Sequence, residues 1–247
     1  MRALGLLLLF LAGALVGLVV GVLAAVASLF SGRRAVHAHG VICRAEIRAL
    51  DDVVGPRLAG PAVVRLGGAL HADDVHGGDV LGLAIRMRPR GASLELDLRV
   101  GDQDLLLGTF ESFTTVARDL SRTDVHDFLA NEYGSVTPWH VAGVGVAKLR
   151  ALPPEKLERG RASDRLSRLD ADIASGRAHF TLVVVESRAA ARKIAELHLL
   201  ERVALEDGAL RMSMFRTARG LRPVGFRNGI RAVAYPLAQA ARRLRGH

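Results

Sequence analysis

Hydrophobic positions divide the chain into one continuous apolar segment and a longer part in which apolar and polar residues alternate over short distances. The 28 residues from Ala3 to Phe30 include no charged side chain, whereas the sequence from Ser31 onward is mixed. A helix of this length extends about 42 Å, and the hydrocarbon core of a bilayer is about 30 Å thick. We therefore predict one transmembrane helix within residues 1–32, with residues 3–30 in the membrane, and a separate domain at 33–247.

Two properties of the apolar segment leave alternatives open. Ala25-Val26-Ala27 offers an Ala-x-Ala cleavage site, although the apolar region is longer than the roughly 7–15 residues usual in a signal peptide. Arg2 and the terminal amine on one side are matched by Arg33 and Arg34 on the other, so positive charge does not select an orientation. We predict a single-pass protein of the cell membrane, with the side of the soluble domain undetermined.

Gly13, Gly17 and Gly21 recur at every fourth residue of this segment. Residues at this spacing share one helix face, and small residues there allow a second helix to approach closely. The glycine stripe therefore predicts contact with another helix, as in a homo-oligomer. The alternative is a glycine-rich anchor with no partner.

The part after the anchor combines the periods of strands and helices. Between 41 and 110, short apolar pieces separated by glycine-rich loops indicate strands, and Leu94, Leu96 and Leu98 alternate with charged residues. We expect further strands at 141–149, 180–186 and 209–215, and helices at 110–132, from the Pro153-Pro154 turn to about 175, at 188–199 and at 228–244. Strands followed by helices favour an α+β fold, namely an antiparallel β-barrel with surrounding helices.

Charge is distributed unevenly along the chain. The formal net charge is +9, and residues 211–245 contain nine arginines and no acidic residue. Such a run meets nucleic acid, an anionic lipid surface or a polyanionic cofactor. Aromatic residues make up only 4% of the sequence and no zinc-finger spacing occurs, so we predict no nucleic-acid partner. The single cysteine, Cys43, excludes an intrachain disulfide, and its apolar neighbours indicate an inert thiol.

The last predicted helix contains the residues with the clearest chemistry. Arg231 and Tyr235 are four residues apart, so they lie on one helix face. A neighbouring guanidinium favours the phenolate form of a tyrosine, and a phenolate can ligate haem iron. Pro236 follows directly, although proline inside a helix removes a backbone donor. The pattern indicates a ligand at Tyr235; its alternative is a surface helix whose tyrosine packs into the core.

These positions resemble the proximal helix of the monofunctional catalases. That helix carries Arg-x-x-x-Tyr-Pro, a His or Gln four residues after the tyrosine, and an Arg seven residues after it. The chain has Arg231, Tyr235, Pro236, Gln239 and Arg242 in those places. The resemblance implies haem b as the cofactor, Tyr235 as the iron ligand, and Arg231, Gln239 and Arg242 as further cofactor-binding residues.

A second motif lies at the other end of the domain. The family's distal segment reads Arg-x-Val-His-Ala-x-Gly, and the chain reads Arg34-Ala-Val-His37-Ala-His-Gly40. The resemblance implies that His37 is the catalytic acid–base residue and that Arg34 contacts a haem propionate. Val-Arg65-Leu is similar to the family's Val-Arg-Phe strand, whose arginine also binds the propionates. Weaker similarities occur at 79–86 and 104–106.

One departure concerns the distal side of the predicted site. Catalases follow Asp-Leu-Val with Gly-Asn-Asn, but after Asp104-Leu-Leu this chain reads Leu107-Gly108-Thr109. The distal asparagine is therefore absent, which argues against efficient disproportionation of hydrogen peroxide. The sequence ends 12 residues after Tyr235 and resembles the minimal catalase-related branch, which includes organic-hydroperoxide peroxidases and allene oxide synthases.

The resemblance predicts a membrane-anchored, haem-dependent peroxidase or catalase-like enzyme that acts on hydroperoxides. Organic or lipid hydroperoxides are favoured over hydrogen peroxide as substrates. Two alternatives are not enzymes: a degenerate catalase-fold membrane scaffold, and a basic domain whose arginines bind lipid headgroups. A haem absorption band in the purified protein separates the enzyme from both of them.

Overall fold

A computed structural model gives the architecture of the chain. It describes residues 2–31, 39–71, 74, 78–91, 98–112, 114–155, 164–186, 190–204, 210 and 212–244. Within these ranges, the side chains of residues 2–3, 20, 22–31, 39, 235 and 238–244 are left out. Arg34 and His37 lie outside the described residues, as does most of the strand expected at 94–98.

Eight antiparallel strands close into a barrel. The strands of the chain are β1 His39–Ala49, β2 Gly60–Gly68, β3 Leu81–Met87, β4 Gln103–Gly108, β5 Tyr133–Gly134, β6 Trp139–Val141, β7 Gly145–Leu152, β8 His179–Glu186, β9 Arg192–Val203 and β10 Leu221–Pro223. The barrel order is β1-β2-β3-β4-β5-β7-β8-β9, and β9 pairs back with β1. β6 and β10 extend from β7 beside the barrel. The predicted antiparallel barrel is confirmed.

Alternate residues of the strands fill the barrel, because successive side chains point to opposite faces. On β1, Cys43, Ala45 and Ile47 are buried in the core, whereas Arg44 and Glu46 lie on the partly exposed outer face. Burying an apolar side chain of the size of Ile47 contributes about 1.5–3 kcal/mol. The interior is therefore a packed core and not a ligand channel. Burial raises the pKa of the Cys43 thiol to about 12, so this cysteine is no nucleophile near neutral pH.

Five helices occur in the described ranges: α1 Arg2–Ser31, α2 Gly55–Leu58, α3 Val116–Leu120, α4 Arg165–Ala174 and α5 Phe226–Leu244. The carboxylate of Asp164 caps α4 by accepting hydrogen bonds from the N–H groups of Leu166 and Ser167, as expected for aspartate at this position. α5 confirms the helix predicted at 228–244.

The helix predicted at 188–199 is wrong, because this part of the chain forms β9. Leu197 and Leu199 are buried while Glu196 and His198 are more exposed, which is the two-residue period of a strand. Alanine, glutamate, leucine and lysine favour helices by intrinsic propensity. Pairing with β1 on one side and β8 on the other outweighs that propensity.

The helix predicted at 110–132 is also wrong. In its described residues only α3 and a 3-10 turn at Phe128–Ala130 are helical. Asp119 instead accepts hydrogen bonds from the Glu111 N–H at 2.9 Å and the Thr115 hydroxyl at 2.6 Å. These bonds hold the pKa of Asp119 down to about 2. Side chains that bind nearby backbone in this way compete with helix formation.

Two predicted strands need smaller corrections. A turn at 142–144 separates β6 from β7, so the strand expected at 141–149 begins later and extends to Leu152. The described residues of the strand expected at 209–215 form a loop. In that loop the Ser213 N–H donates to the Asp104 carboxylate at 2.8 Å, which takes the place of a strand partner.

The first helix, α1, includes almost all of the apolar segment. Several of its side chains are well exposed, with Leu4 at 61%, Leu15 at 74% and Val19 at 64%. In the part of the chain that the structure describes, no helix combines the length and the apolar character that a membrane crossing requires.

The glycine stripe of α1 lies against α5. Gly13 contacts the backbone of Phe226, and Gly17 contacts that of Ile230, four residues farther along each helix. The contacts advance in the same direction, so the two helices are parallel. A Cβ on Gly17 would lie 2.5 Å from the Ile230 carbonyl oxygen, a separation that requires glycine. The glycine stripe therefore contacts a helix of the same chain, α5. A homo-oligomer through the same glycines stays a prediction, and it requires α5 to leave this face.

Candidate functional site

Five glycines lie side by side on the outer face of the barrel. Gly40 pairs with Gly67, Gly67 with Gly82, Gly82 with Gly108, and Gly108 with Gly134. A neighbour of each glycine along its strand packs into the core, so the glycines themselves face outward. The row crosses four strand spacings, about 19 Å along the curved wall of the barrel. We call this row the glycine strip.

The glycine strip has no side chains of its own and follows the curved wall of the barrel, and neighbouring side chains lie over Gly40 and Gly108. Glycine weakens a strand, and it is found in strands where a ligand or another backbone approaches closely. At Gly134 there is room for a side chain, because an added Cβ would have no neighbour within 4 Å. Crowding by the described residues therefore does not explain why this position is glycine. The strip is therefore the candidate binding surface.

Arg65 borders the strip where β1 begins. Arg65 is on the outward face of β2, one row away from the strip. In that row Arg65 pairs with Ala84 of β3, and Ala84 pairs with Leu106 of β4. A Cβ on Gly40 would be 2.9 Å from the guanidinium carbon of Arg65, so the guanidinium lies over this glycine. Arg65 is only 8% exposed. The buried charge of Arg65 therefore lies over Gly40, the first residue of the strip. Gly40 is three positions after His37 in the sequence.

An aromatic ring covers part of the strip at Gly108. A Cβ on this glycine would lie 3.0 Å from the ring of Phe110. Thr109 fixes the turn between them, since its hydroxyl accepts from the Leu81 N–H at 3.1 Å and lies 2.8 Å from the Thr123 hydroxyl. In the resemblance to the catalases described above, Gly108 stands where the family motif has its distal asparagine. This part of the strip therefore carries a phenyl ring and no amide.

The start of α5 is held beside the Gly134 end of the strip. Asn228 donates a hydrogen bond to the Pro138 carbonyl oxygen at 3.0 Å. The guanidinium of Arg231 lies 3.5 Å from the Thr137 hydroxyl. Both partners belong to the short loop that follows Gly134, so α5 brings Arg231 near the end of the strip that is farthest from Arg65.

One of the two tyrosines of the chain is buried in the core and is not available as a ligand. Tyr133 is fully buried, donates its hydroxyl to the Phe128 carbonyl oxygen at 2.8 Å and packs edge-on against Phe180. Burial raises the pKa of the Tyr133 phenol well above its usual value. Tyr133 is therefore a neutral core residue. Tyr235, one helical turn after Arg231 in α5, is the remaining candidate for a phenolate ligand.

A buried ion cluster lies on the same outer face, two rows from the strip. Arg86 Nε is 3.0 Å from an Asp104 carboxylate oxygen, with side chains that are 1% and 0% exposed. The other carboxylate oxygen accepts from the Ser213 N–H at 2.8 Å and also binds Arg216. The cluster therefore holds the loop around Ser213 against the barrel.

The predicted site residues are described to different degrees. Arg65 and Arg231 have described side chains and lie near opposite ends of the strip. Tyr235, Gln239 and Arg242 lie in α5, and their side chains are outside the description. Arg34 and His37 precede β1, outside the described residues. The roles of these residues stay predictions.

The glycine strip was not anticipated from the sequence. Its signal is a single glycine within or beside each of several strand-like segments, a pattern that suggests close approach to a backbone. The sequence contains 26 glycines, and only the strand register identifies the five that lie in one row.

Comparison with solved structures identifies the same architecture. One similar structure is the crystal structure of a fungal catalase, with a TM-score of 0.57 and 12% sequence identity. The match covers 85% of this chain and 59% of the catalase chain, so this chain spans about three-fifths of the length of that protein. No family model matches the sequence, and no curated protein matches it. At this identity the likeness shows the fold alone: the chain has a catalase-like fold, an antiparallel eight-stranded barrel with a few helices.

Proposed function

We propose that this chain is a membrane-anchored, haem-dependent peroxidase that acts on hydroperoxides. The observation that carries the proposal is the glycine strip, about 19 Å long, with the Arg65 guanidinium at the end where β1 begins. A planar cofactor with anionic groups can lie against strands that have no side chains and beside a cation, and the part of the strip at Gly67 and Gly82, next to Arg65, offers both. One catalase-like sequence motif ends at Gly40, the first residue of the strip, and the other begins with Arg231, whose guanidinium lies 3.5 Å from the Thr137 hydroxyl.

The residues proposed for this site have the chemistry that a haem requires. Arg65, together with Arg34 just before β1, would supply positive charge to the two propionates. Tyr235 would ligate the iron, and Arg231, four residues earlier in α5, would favour the phenolate form of that tyrosine. When bound, the haem supplies the redox chemistry that cleaves a peroxide O–O bond.

His37 is the acid–base residue in this proposal. Its neutral imidazole takes the proton from the hydroperoxide and returns it to the departing oxygen, which leaves as the alcohol when the substrate is organic. Imidazole suits this role because its unperturbed pKa lies close to neutral pH. Arg34 and Arg65 hold the cofactor while the proton moves.

The favoured substrate is an organic or lipid hydroperoxide. Gly108 takes the place at which catalases carry the distal asparagine, and the Phe110 ring lies beside it. This exchange removes an amide that would bind a small polar peroxide and leaves an apolar wall that accommodates an alkyl chain. An apolar anchor would bring the site close to lipid substrates.

The protein purified from the membrane fraction is expected to show a Soret band and the pyridine haemochrome spectrum of haem b. Tyr235→Phe removes the proposed iron ligand, so this variant should lose haem or shift its ferric spectrum. Tyr133→Phe is the matched control, because it removes the same hydroxyl from a core tyrosine and should leave the spectrum as in wild type.

An unchanged spectrum at full occupancy in Tyr235→Phe would remove Tyr235 as the ligand. A wild-type protein that takes up no haem even when haemin is supplied would contradict the enzyme. The catalase-fold scaffold and the basic lipid-binding domain would then be the functions to test, the second by salt-sensitive binding to anionic vesicles.

The membrane anchor rests on the uncharged run Ala3–Phe30 and on the exposed leucines and valines of α1. Deleting residues 1–32 is expected to move the protein from the membrane fraction to the soluble fraction, because the segment that prefers lipid is removed. The deletion also removes the helix that packs against α5, but Asn228 still ties the start of α5 to the Pro138 carbonyl oxygen, so the variant should keep its haem. Ultracentrifugation of both proteins from the same cells measures this, and a full-length chain in the soluble fraction would contradict the anchor.

A further inference from the structure

A cavity of about 520 Å³ lies at the opposite end of β1–β4 from the glycine strip. It is lined by Arg57, Pro89, Gly101, Ala218, Arg219 and Gly220. Arg57 follows the end of β1, Pro89 follows the end of β3, and Gly101 precedes the start of β4. The glycine strip lies at the opposite ends of these strands. We call this cavity the arginine cleft.

Arg219 is fixed in the wall of the arginine cleft. One of its terminal nitrogens donates to the Arg57 carbonyl oxygen at 2.6 Å and lies 3.5 Å from the Ala59 carbonyl oxygen. Its Nε is buried and has no hydrogen-bond partner among the described residues. The guanidinium is therefore held in one position, and one of its donors is unused.

Two further arginines lie beside Arg219. A terminal nitrogen of Arg57 is 3.3 Å from the position that a Cβ would take on Gly220. That residue has a φ of +81°, which favours glycine, so the chain passes closely under the Arg57 guanidinium. Arg90 lies beside Gly60, the residue after Ala59. Both of these arginine side chains are exposed.

Positive charge exceeds negative charge in the arginine cleft. Burial lowers the pKa of Arg219, the nearby Asp102 carboxylate opposes this shift, and Arg90 adds to it. Within the described ranges, Arg57, Arg90 and Arg219 make no ion pair with a carboxylate. Like charges that are partly removed from water repel one another until an anion enters between them.

We propose that the arginine cleft binds a phosphate group, either of a soluble phosphorylated molecule or of a lipid headgroup. Guanidinium groups bind phosphate through paired, charge-assisted hydrogen bonds. Arg57 and Arg219 line the cleft, and Arg90 is close enough to affect the pKa of Arg219, so the site matches a group that carries more negative charge than a single carboxylate. The cleft is open to solvent, so a pyrophosphate can reach the guanidinium groups as well as a single phosphate can. This site does not depend on haem, because it lies at the other end of the barrel.

Titration calorimetry of the full-length protein in neutral detergent tests the proposal with two probes. One is inorganic pyrophosphate, and the other is dihexanoyl phosphatidylglycerol below its micelle concentration. Arg57→Gln should weaken binding by about tenfold or more, because a charge-assisted interaction is lost, and Arg90→Gln should weaken it less, because Arg90 adds positive charge beside the cleft without lining it. These two variants are preferred to Arg219→Gln, since Arg219 also binds backbone carbonyls and its loss can loosen the fold.

Arg122→Gln is the matched control for the change in charge. Arg122 is exposed and precedes Thr123, which contacts Thr109 at the glycine-strip end of the barrel, so binding should stay as in wild type. Tighter binding of pyrophosphate would identify a soluble ligand, and tighter binding of the phosphatidylglycerol would identify a headgroup. No binding of either probe, or an equal loss in Arg122→Gln and Arg57→Gln, would overturn the proposal.

Discussion

Replacing His37 by asparagine is expected to lower the turnover of organic hydroperoxides by about 10²–10⁴-fold, with haem content and melting temperature nearly unchanged. Asparagine has a similar size and keeps some hydrogen bonding, but it cannot accept and return a proton near neutral pH. The loss should therefore appear in the chemical step and not in folding. Stopped-flow haem spectra with cumene hydroperoxide and with hydrogen peroxide measure it.

His39→Asn is the control for this experiment. It makes the same substitution two residues later, at the first residue of β1, where the catalase motif has no acid–base residue. Its rate should match wild type, and wild type should consume cumene hydroperoxide faster than hydrogen peroxide because Gly108 replaces the distal asparagine. Equal rates in wild type and His37→Asn would remove His37 from the mechanism. A haem-loaded wild type that reacts with neither oxidant would support the scaffold.

Replacing Asp104 by asparagine is expected to lower the free energy of unfolding by about 3–5 kcal/mol. The carboxylate is fully buried and binds Arg86, which is 1% exposed, as well as Arg216 and the Ser213 N–H. Asparagine keeps the volume but leaves the buried Arg86 charge without this carboxylate. For a domain of this size, the melting temperature should fall by roughly 6–20 °C.

Asp170→Asn provides the comparison for Asp104→Asn. Asp170 also pairs with an arginine, Arg202 at 2.7 Å, but the two side chains are 44% and 38% exposed. Exposed pairs contribute about 0–1 kcal/mol, since water solvates both charges when the pair is broken. Thermal melts of wild type and both variants in the same detergent measure how far each substitution lowers the melting temperature. A loss in Asp104→Asn no larger than in Asp170→Asn would mean that the cluster does not stabilise the barrel.

The sequence predicts the barrel and α5 because their signals are local. Core-facing apolar residues of β1–β4 recur with a period of two, and turn residues separate the strands. α5 repeats its apolar residues with a helical period up to Leu244. The fold class therefore follows from patterns that lie within about ten residues of one another.

Features that depend on pairing between distant segments were not predicted. β9 has a helix-favouring composition and becomes a strand only because β1 and β8 lie on either side of it. The glycine strip appears only when five strands are in register. The contact between Asp104 and Arg216 joins residues that are far apart in sequence. Single-sequence periodicity contains no information on such pairings.

The parallel contact between α1 and α5 has a consequence for how the protein is made. During synthesis α1 leaves the ribosome first, and the residue that meets Gly13, Phe226, follows more than 200 residues later. At about 5–20 residues per second this delay lasts roughly 10–40 s. Throughout that interval the glycine face of a nascent α1 has no α5 to bind, and the α1 of a neighbouring nascent chain offers the same close-packing surface. The pairing within the chain is therefore a late step of biogenesis, in which α5 competes with such transient helix pairs for the glycine face.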